Sequence, residues 1–297
     1  MDRDELFDDE FLKRLQRLGL IAKRVSAAAA SAGKRRSRRL GDGLEFADHR
    51  DYHAGDDIRF VDWPYFARME KLLLRLFHEH SEGTVTILLD ASRSMALGRV
   101  CKFDYARRAA AALAYVSMAG LDRVILTPFA GASAEGFATG RNRGQILQVL
   151  DFLSTLKAEG PTGLEAAARE YARTSAGAGT VMVLTDAIDV EEQLPRALAV
   201  LRSRRNDVIL LHIIDPADAE PDILGPVQLA AVEGGGRMPV GVGDALLVSY
   251  RRCWREFVAR VERACLAHRA LYVAGPTGRP FDELVLETAE KAGVLQS

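Results

Sequence analysis

The chain of 297 residues is long enough for one large α/β domain with additions, or for two small domains. Its composition, 48% hydrophobic and 27% charged, is that of a soluble protein, and a net charge of −1 argues against a protein that binds nucleic acid over its whole surface. The three cysteines form no CxxC pair, which predicts neither a zinc site nor a disulfide framework and fits reducing cytosol. An acidic N-terminus without signal-peptide character, and the lack of an apolar run of about 20 residues, predict a cytoplasmic protein with no membrane span.

The segment 1–80 is predicted to form an N-terminal accessory region. Apolar residues at three-to-four-residue spacing between positions 11 and 30 predict a helix with one apolar face. The basic run at 34–39 is typical of a solvated loop, with contact to an acidic partner or to nucleic acid as the alternative. Residues 41–70 favour loops and short strands, and residues 71–80 favour a strand that would carry His78 and His80 on one face. Those two histidines lack a third candidate ligand, so they do not predict a metal site.

From residue 83, apolar runs typical of strands alternate with runs typical of helices. The predicted strands cover 85–89, 124–128, 181–185 and 208–214, and the predicted helices cover 103–119, 143–156, 164–174 and 191–202. Such alternation predicts a Rossmann-like α/β fold, with a mostly parallel sheet and helices on both faces. We assign residues 81–215 to this core.

Residues 216–297 are predicted to complete the fold. The segment 216–243 is rich in Pro, Gly and Asp and is expected to form a small β excursion. A long amphipathic helix at 244–268, a short strand at 271–274 and a last helix at 281–292 follow.

The candidate site lies where two apolar strands each end in an aspartate, Asp90 and Asp186. The carboxyl ends of parallel strands meet at one edge of the sheet, where ligands of open α/β folds bind. Asp90 also opens a loop in which Ser92 and Ser94 follow at alternate positions, and Thr162 stands in a Gly-Pro-Thr-Gly turn before a predicted helix. Serine and aspartate at such positions are also ordinary helix caps, which is the purely structural alternative.

Two carboxylates and three hydroxyls form a donor set that suits a hard cation. Mg²⁺ prefers about six oxygen ligands, of which usually only one or two are carboxylates. Neutral hydroxyls complete the shell without cancelling the charge of the ion, so a position held by water is open to a carboxylate from outside. We therefore expect Mg²⁺ here, with Mn²⁺ or Ca²⁺ as alternatives.

These five residues resemble the metal-ion-dependent adhesion site of von Willebrand factor A domains. A second set of residues is similar to the signature of the MoxR-associated von Willebrand factor A family, known as domain of unknown function 58: Arg50, Tyr52, Gly55, Asp56, Asp57, Arg59, Asp62, Trp63 and Arg68. The resemblance implies a von Willebrand factor A fold whose metal accepts an Asp or Glu from a protein client. It also implies a cytosol-facing protein that works with a MoxR-type AAA+ ATPase.

The segment 50–68 allows a structural and a functional interpretation. Gly55 permits a turn with positive φ, and the aspartates at 56, 57 and 62 can cap backbone N–H groups or pair with Arg50, Arg59 and Arg68. Trp63 is then expected to anchor the loop to the core. The alternative is that the same residues form a partner surface.

These observations predict a non-enzymatic, Mg²⁺-dependent adaptor that helps a MoxR-type ATPase assemble or mature protein complexes. The alternative is a phosphotransferase of the haloacid-dehalogenase type, with Asp90 as nucleophile and Asp186 and Asp189 as the acidic pair. That chemistry needs a carboxylate at position 92, which is Ser, and a lysine shortly before the pair, where the nearest is Lys157. Asp215 ends a third strand and is interpreted as a cap before Pro216, two strands away from Asp90.

Overall fold

The computed structural model describes residues 3–31, 40–41, 45–53, 56–78, 83–120, 122–133, 135–140, 143–175, 177–188, 191–232 and 236–291. The chain divides into two compact units, one of Met1–Val25 with Gly83–Ser297 and the other of Ser26–Glu82. This division differs from the segments 1–80, 81–215 and 216–297 drawn from the sequence, because Met1–Val25 belongs to the larger unit. The basic run at 34–39, Gly55, His80 and Asp189 lie outside the described residues.

The N-terminal segment forms two helices, α1 (Arg3–Leu6) and α2 (Asp9–Ser31). The Asp8 carboxylate accepts a hydrogen bond from the backbone N–H of Phe11 at 2.7 Å and so caps α2. The apolar face predicted for this helix is buried at Phe11, Leu15 and Leu18, which join the core of the larger unit. Phe11 also packs against Phe281, with ring centroids 4.8 Å apart.

The described residues of the smaller unit include an antiparallel sheet and a helix. Its strands β1 (Leu40–Gly41), β2 (Glu45–Asp51) and β3 (Leu73–His78) lie in the order β1-β3-β2, and α3 (Trp63–Met69) comes between β2 and β3 in the chain. The strand predicted over 71–80 is confirmed as β3.

In its described residues the larger unit is built on one sheet of seven strands. They are β4 (Thr84–Asp90), β5 (Arg123–Ala130), β6 (Ala132–Ser133), β7 (Phe137–Ala138), β8 (Thr180–Thr185), β9 (Asp207–Ile214) and β12 (Leu271–Pro276). Their order is β12-β9-β8-β4-β5-β6, with β7 also paired to β5, and every pair from β12 to β5 is parallel. The mostly parallel α/β sheet and its four predicted core strands are confirmed.

Besides α1 and α2, seven α-helices and a hairpin cover and extend this sheet in the described part of the larger unit. The helices are α4 (Lys102–Ala119), α5 (Ile146–Thr155), α6 (Leu164–Thr174), α7 (Leu194–Arg202), α8 (Pro216–Ala219), α9 (Asp244–Ala267) and α10 (Phe281–Lys291). The β excursion is a hairpin of β10 (Gly225–Ala230) and β11 (Arg237–Val242). Helix α7 begins at Leu194, later than predicted, and Pro195 occupies its first turn, where a missing N–H costs nothing.

The helices lie on both faces, as expected from the alternating pattern. Along β4, Ile87 and Leu89 join a core cluster with α4, α5 and α10, whereas Leu88 joins a second cluster with α6, α7 and α9. This alternation is the two-residue period of a strand buried on both sides. Among the described residues, no helix combines the length and the apolar character that crossing a bilayer requires.

Candidate metal site

The sheet brings Asp90 and Asp186 to one edge. Asp90 is the last residue of β4 and Asp186 follows β8, and these two strands pair in parallel up to Leu89 and Leu184. Both carboxylates are buried, with 0% and 2% of the residue exposed. The order of the chain reverses beside β4, since β5 lies on one side and β8 on the other, and such a switch point forms a crevice at the carboxyl ends of the strands.

Hydrogen bonds join Asp90 to the hydroxyl-bearing loops. Its Oδ1 accepts from the backbone N–H of Ser92 at 2.9 Å, and its Oδ2 accepts from Thr162 Oγ1 at 3.3 Å. The hydroxyls of Ser92 and Ser94 lie 3.1 Å apart. Four of the five predicted ligands are therefore connected, although they come from two loops that are well separated in the chain.

Thr185 is a further hydroxyl at Asp90 that sequence reasoning missed. Its Oγ1 donates to Asp90 Oδ2 at 2.6 Å and accepts from the backbone N–H of Ala187 at 3.0 Å. Thr185 is the last residue of an apolar strand, where threonine is common for reasons of packing alone. The only signal in the sequence is its position beside Asp186.

Asp186 is paired with a buried lysine that the sequence analysis did not single out. Lys102 Nζ lies 2.8 Å from Asp186 Oδ2 and 3.0 Å from Asp218 Oδ2, and Lys102 is only 1% exposed. The other carboxylate oxygen of Asp186 accepts from the backbone N–H of Ile188 at 3.1 Å. Asp186 thus has an internal counter-charge, whereas Asp90 is held only by neutral donors within the described part of the chain.

The pKa shifts follow from this arrangement. Burial, together with the nearby charge of Asp186, raises the pKa of Asp90 to about 6, against the hydrogen bonds from Thr185 and Ser92. Burial alone would lower the pKa of Lys102, but Asp186 and Asp218 outweigh it, so the net shift is upward. Keeping Asp90 ionised at this buried edge of the sheet therefore costs free energy, and a bound cation would offset that cost.

His212 supports Asp186 through its backbone. Its Nε2 lies 2.9 Å from the backbone oxygen of Asp186, and its Nδ1 lies 2.9 Å from the Tyr272 hydroxyl. A carbonyl oxygen only accepts, so Nε2 carries the proton and Nδ1 accepts from Tyr272. Burial lowers the pKa of His212 to about 4, so the ring is neutral near pH 7.

The residues at this edge fit a hard cation. A buried carboxylate without a cationic partner among the described residues and three hydroxyl oxygens from two loops offer the oxygen ligands that Mg²⁺ prefers. No group of three or more His, Cys, Asp or Glu side chains is arranged around a metal position in the described ranges. A cation here would bind largely through hydroxyls and water.

The signature residues of the smaller unit form short-range pairs. Arg50 donates to both oxygens of Asp56, at 2.8 and 2.6 Å, and Arg59 pairs with Asp57 at 2.6 Å. Asp62 caps α3 through the backbone N–H of Tyr65. Tyr52 donates its backbone N–H to the Leu72 carbonyl across β2 and β3.

One expectation for this segment, the anchoring role of Trp63, is wrong. Asp62 caps a backbone N–H, which is one of the two roles expected of it, and its side-chain partner is His49 at 2.9 Å, whereas the guanidinium of Arg68 donates to the Pro64 carbonyl. Trp63 does not anchor the loop to the core, since 54% of it is exposed. The physical reason is the direction of α3, which carries Trp63, Phe66 and Met69 at three-residue spacing on an exposed face while Val61 and Leu74 supply the buried contacts.

An aromatic cleft of about 580 Å³ lies along α9 and reaches Ile188, two residues after Asp186. Tyr250, Trp254 and Phe257 of α9 line it with Ile188, and Arg260 pairs with Glu191 at its margin. Phe257 contacts the ring of His212, and the Tyr250 hydroxyl donates to the Asp218 carbonyl at 2.6 Å.

Asp215 caps α8 through the N–H of Ala217, as predicted.

Comparison with known proteins gives a family and several distant relatives. The family model described as protein of unknown function DUF58 matches residues 48–260. The uncharacterized proteins Rv1480 of Mycobacterium tuberculosis and Mb1516 of Mycobacterium bovis are each 26% identical over 234 residues, which is 76% of this chain and 73% of theirs.

Solved structures similar to this chain share little sequence with it. An aerotolerance-related membrane protein from Bacteroides fragilis has a TM-score of 0.46 at 18% identity and covers 71% of this chain and 98% of its own. The conserved hypothetical protein BatB from Bacteroides thetaiotaomicron has a TM-score of 0.45 at 16% identity, with coverage of 72% and 100%. The SpRpn10 VWA domain has a TM-score of 0.42 at 13% identity, with coverage of 69% and 94%. Similarity at this level carries no argument about function.

Proposed function

The chain belongs to the DUF58 family of proteins of unknown function, and we propose that it is a non-enzymatic adaptor that binds protein partners through a Mg²⁺ ion. Asp90, Ser92, Ser94, Thr162 and Asp186 would hold the ion. The ion would supply a positive centre for one Asp or Glu side chain of the partner.

The observation that carries this proposal is that Asp186 has a cationic partner, whereas Asp90 has none among the described residues. Lys102 neutralises Asp186 at 2.8 Å, whereas Asp90 is buried among hydroxyls and N–H donors. A divalent ion beside Asp90 would therefore meet only one carboxylate without its own counter-charge. The ion would keep a net positive charge, and a second carboxylate from outside would be attracted to it.

The surroundings suit a protein ligand. The aromatic cleft, which Ile188 lines two residues after Asp186, combines Tyr250, Trp254 and Phe257 with charged residues at its margin, a composition typical of interface centres. A partner that places its carboxylate at the ion could bury neighbouring apolar side chains in this cleft.

The resemblance to the MoxR-associated von Willebrand factor A family supports one partner class, a MoxR-type AAA+ ATPase or a client of that ATPase. It also supports a chaperone-like role in the assembly of protein complexes. A cytoplasmic location belongs to the same proposal, and the free state of all three cysteines supports it.

The phosphotransferase alternative is not supported. Position 92 carries a serine, so the acid–base carboxylate expected two residues after the nucleophile is missing. Lys102 is a buried lysine of the kind that chemistry uses, but it pairs with Asp186 and Asp218 rather than with Asp90.

The direct test measures Mg²⁺ binding and partner binding separately. Isothermal titration should show one Mg²⁺ site per chain in the wild type and no site in an Asp90→Ala, Ser92→Ala double variant. An affinity capture read by mass spectrometry should recover partners with Mg²⁺ and lose them in EDTA. Capture by the double variant in EDTA that equals the wild type with Mg²⁺ would show that the metal is not the docking point.

A matched control is Asp151→Ala, because Asp151 is a half-exposed carboxylate on α5 that pairs with Arg3, away from the candidate metal site. It should retain both activities. Turnover of a generic phosphate ester that is lost in Asp90→Asn would instead establish the phosphotransferase.

A further inference from the structure

Asp215, which follows β9, holds two segments of the larger unit that are far apart in the chain. Its Oδ1 accepts from the backbone N–H of Ala217 at 2.9 Å, which caps α8. Its Oδ2 accepts from the backbone N–H of Arg99, in the segment that joins the candidate metal site to the start of α4. The Asp215 side chain therefore does more than cap a helix, which is the only role predicted for it from the sequence.

Asp215 is not placed to bind the proposed ion directly. Strand β9 lies two strands from β4, which is about 10 Å at the usual strand spacing. Both carboxylate oxygens already accept a backbone N–H, and the residue is 2% exposed. Any effect of Asp215 on the metal site therefore has to pass through the backbone that it holds.

The backbone at Gly98 is shaped for this contact. Gly98 has a φ of +116°, which residues with a side chain rarely adopt. A Cβ atom at this position would lie 2.5 Å from Asp215 Oδ2 and 2.8 Å from the Val100 carbonyl oxygen. Only glycine therefore lets the chain pass this close to the carboxylate. Two independent features, a buried carboxylate and a glycine with positive φ, meet at one point.

The segment that Asp215 holds has little hydrophobic anchorage. Residues 96–100 are all exposed, so burial of apolar groups contributes little to fixing their position, and hydrogen bonds have to fix it. The start of the metal-site loop differs, because the N–H groups of Ala91 and Arg93 donate at 2.9 Å to carbonyls of β5 and of the loop that carries Thr162. Asp215 provides the corresponding tie for the end of the loop.

Leu97 connects the held segment to two residues of the site. Its backbone N–H donates to the Ser94 carbonyl at 3.2 Å, and its carbonyl accepts from the backbone N–H of Lys102 at 3.1 Å. Ser94 is a proposed ligand, and the ammonium group of Lys102 pairs with Asp186. A shift of the held backbone would therefore displace a ligand and the counter-charge of Asp186 together.

We propose that Asp215 is a positioning residue of the candidate metal site, which sets the affinity for Mg²⁺ by fixing the backbone at Gly98 and Arg99. The inference rests on the proposed function, since it takes Ser94 as a ligand of the ion. Residues that orient metal ligands typically change the metal affinity by about 10–100-fold when they are replaced. Asp215 acts in this way through the backbone rather than through a hydrogen bond to a ligand side chain.

The test is isothermal titration of the full chain with MgCl₂ in the wild type, Asp215→Asn and Gly98→Ala. Asparagine caps helices as well as aspartate does, so Asp215→Asn can keep the bond to Ala217, but its NH₂ group cannot accept from Arg99. Gly98→Ala breaks the same contact from the other side, through a Cβ that does not fit. Each variant should bind Mg²⁺ about tenfold more weakly than the wild type. The double variant should bind no more weakly than the weaker single variant, because both changes remove one contact.

Two controls match these changes. Gly225→Ala replaces another glycine with positive φ, where an added Cβ meets nothing within 4 Å, and Asp8→Asn changes another carboxylate that caps a helix. Both should bind Mg²⁺ like the wild type. Hydrogen exchange in EDTA gives a readout without metal, in which the Arg99 amide should exchange faster in Asp215→Asn and in Gly98→Ala than in either control.

The two measurements separate the possible failures. Wild-type Mg²⁺ affinity in a variant whose Arg99 amide exchanges faster would overturn the inference and leave the proposed function intact. Unchanged exchange of this amide in Asp215→Asn would overturn it as well, because the carboxylate would then not hold this backbone, and so would additive losses in the double variant. A wild type without saturable Mg²⁺ binding would remove the proposed function and this inference with it.

Discussion

The ammonium group of Lys102 and the carboxylate of Asp186 form an ion pair of 2.8 Å in which both side chains are buried. Removing one member of a buried pair leaves the other charge without compensation, which typically costs about 3–5 kcal/mol. We expect Lys102→Met to lower the free energy of unfolding by about this amount in EDTA, and added Mg²⁺ to restore part of the loss. Urea denaturation with and without Mg²⁺ measures both effects.

The exposed pair of Arg173 and Glu170 on α6 provides the control for this prediction. Arg173→Met should lower the free energy of unfolding much less than Lys102→Met, because solvent screens exposed pairs. Equal losses in the two variants would show that the Lys102 pair adds nothing beyond an ordinary surface contact.

Metal binding should stabilise the fold. An ion that binds only the folded state at a concentration about 100 times its dissociation constant adds about 2.7 kcal/mol to the free energy of unfolding. We expect the melting temperature to rise with Mg²⁺ in the wild type and to respond much less in Thr162→Val, which loses the hydroxyl 3.3 Å from Asp90. Ser154→Ala on α5, whose hydroxyl bonds to the Asp151 carbonyl, should retain the full response. An identical response of Thr162→Val and wild type would remove Thr162 from the ligand set.

His212 should make stability depend on pH. Its pKa is lowered from 6.5 to about 4 by burial, so the folded state favours the neutral ring. This contribution is complete above about pH 6.5 and is lost as the pH falls towards 4, and a shift of this size corresponds to about 3 kcal/mol. We expect the wild type to lose more stability than His212→Gln between pH 7 and pH 4.5 in urea titrations.

Asp90 acts in the opposite direction over part of the same range, since its raised pKa makes protonation favourable to the folded state. The comparison with His212→Gln is therefore necessary, because Asp90 contributes to both proteins. Parallel pH profiles of the two proteins would contradict the assignment of a neutral buried His212.

The exposed face of α3 separates the two interpretations of the signature segment. Trp63→Ala should lower the free energy of unfolding less than Leu74→Ala does, because Trp63 is 54% exposed and Leu74 is buried. If the segment is a partner surface, the same variant should reduce capture of partners while Mg²⁺ binding is unchanged. Capture at the wild-type level would leave only the structural interpretation. Leu74→Ala, at a buried position of the same unit, is the control for a variant that loses stability, and it shows how such a loss affects both assays.

The sheet could be predicted from the sequence because each buried strand is visible as a short apolar run. Apolar runs such as 85–89 and 181–185 must be buried, and the aspartates that end them mark the carboxyl edge. Asp215 was predicted to be a cap from its position before Pro216, and the structure confirms this at the start of α8.

Other features depend on contacts between distant segments and could not be predicted. Lys102 in the first turn of α4 has the sequence context of a solvated residue, and only the fold shows that it reaches Asp186 and Asp218 from a distant part of the chain. Trp63 was misjudged because residues 41–70 were predicted to form loops and short strands, whereas Trp63–Met69 form the helix α3, which carries Trp63 on an exposed face. In the same way, the choice of Asp62 between His49 and Arg68 depends on the pairing of β2 and β3.

The position of β4 between β5 and β8 has a consequence for biosynthesis. Its β5 neighbour ends at Ala130, but its other neighbour, β8, begins only at Thr180. While the ribosome makes the intervening segment, one edge of an apolar strand lacks its native partner, a situation that promotes aggregation. Nascent chains arrested before β8 should therefore need chaperone protection that chains extending past β9 do not.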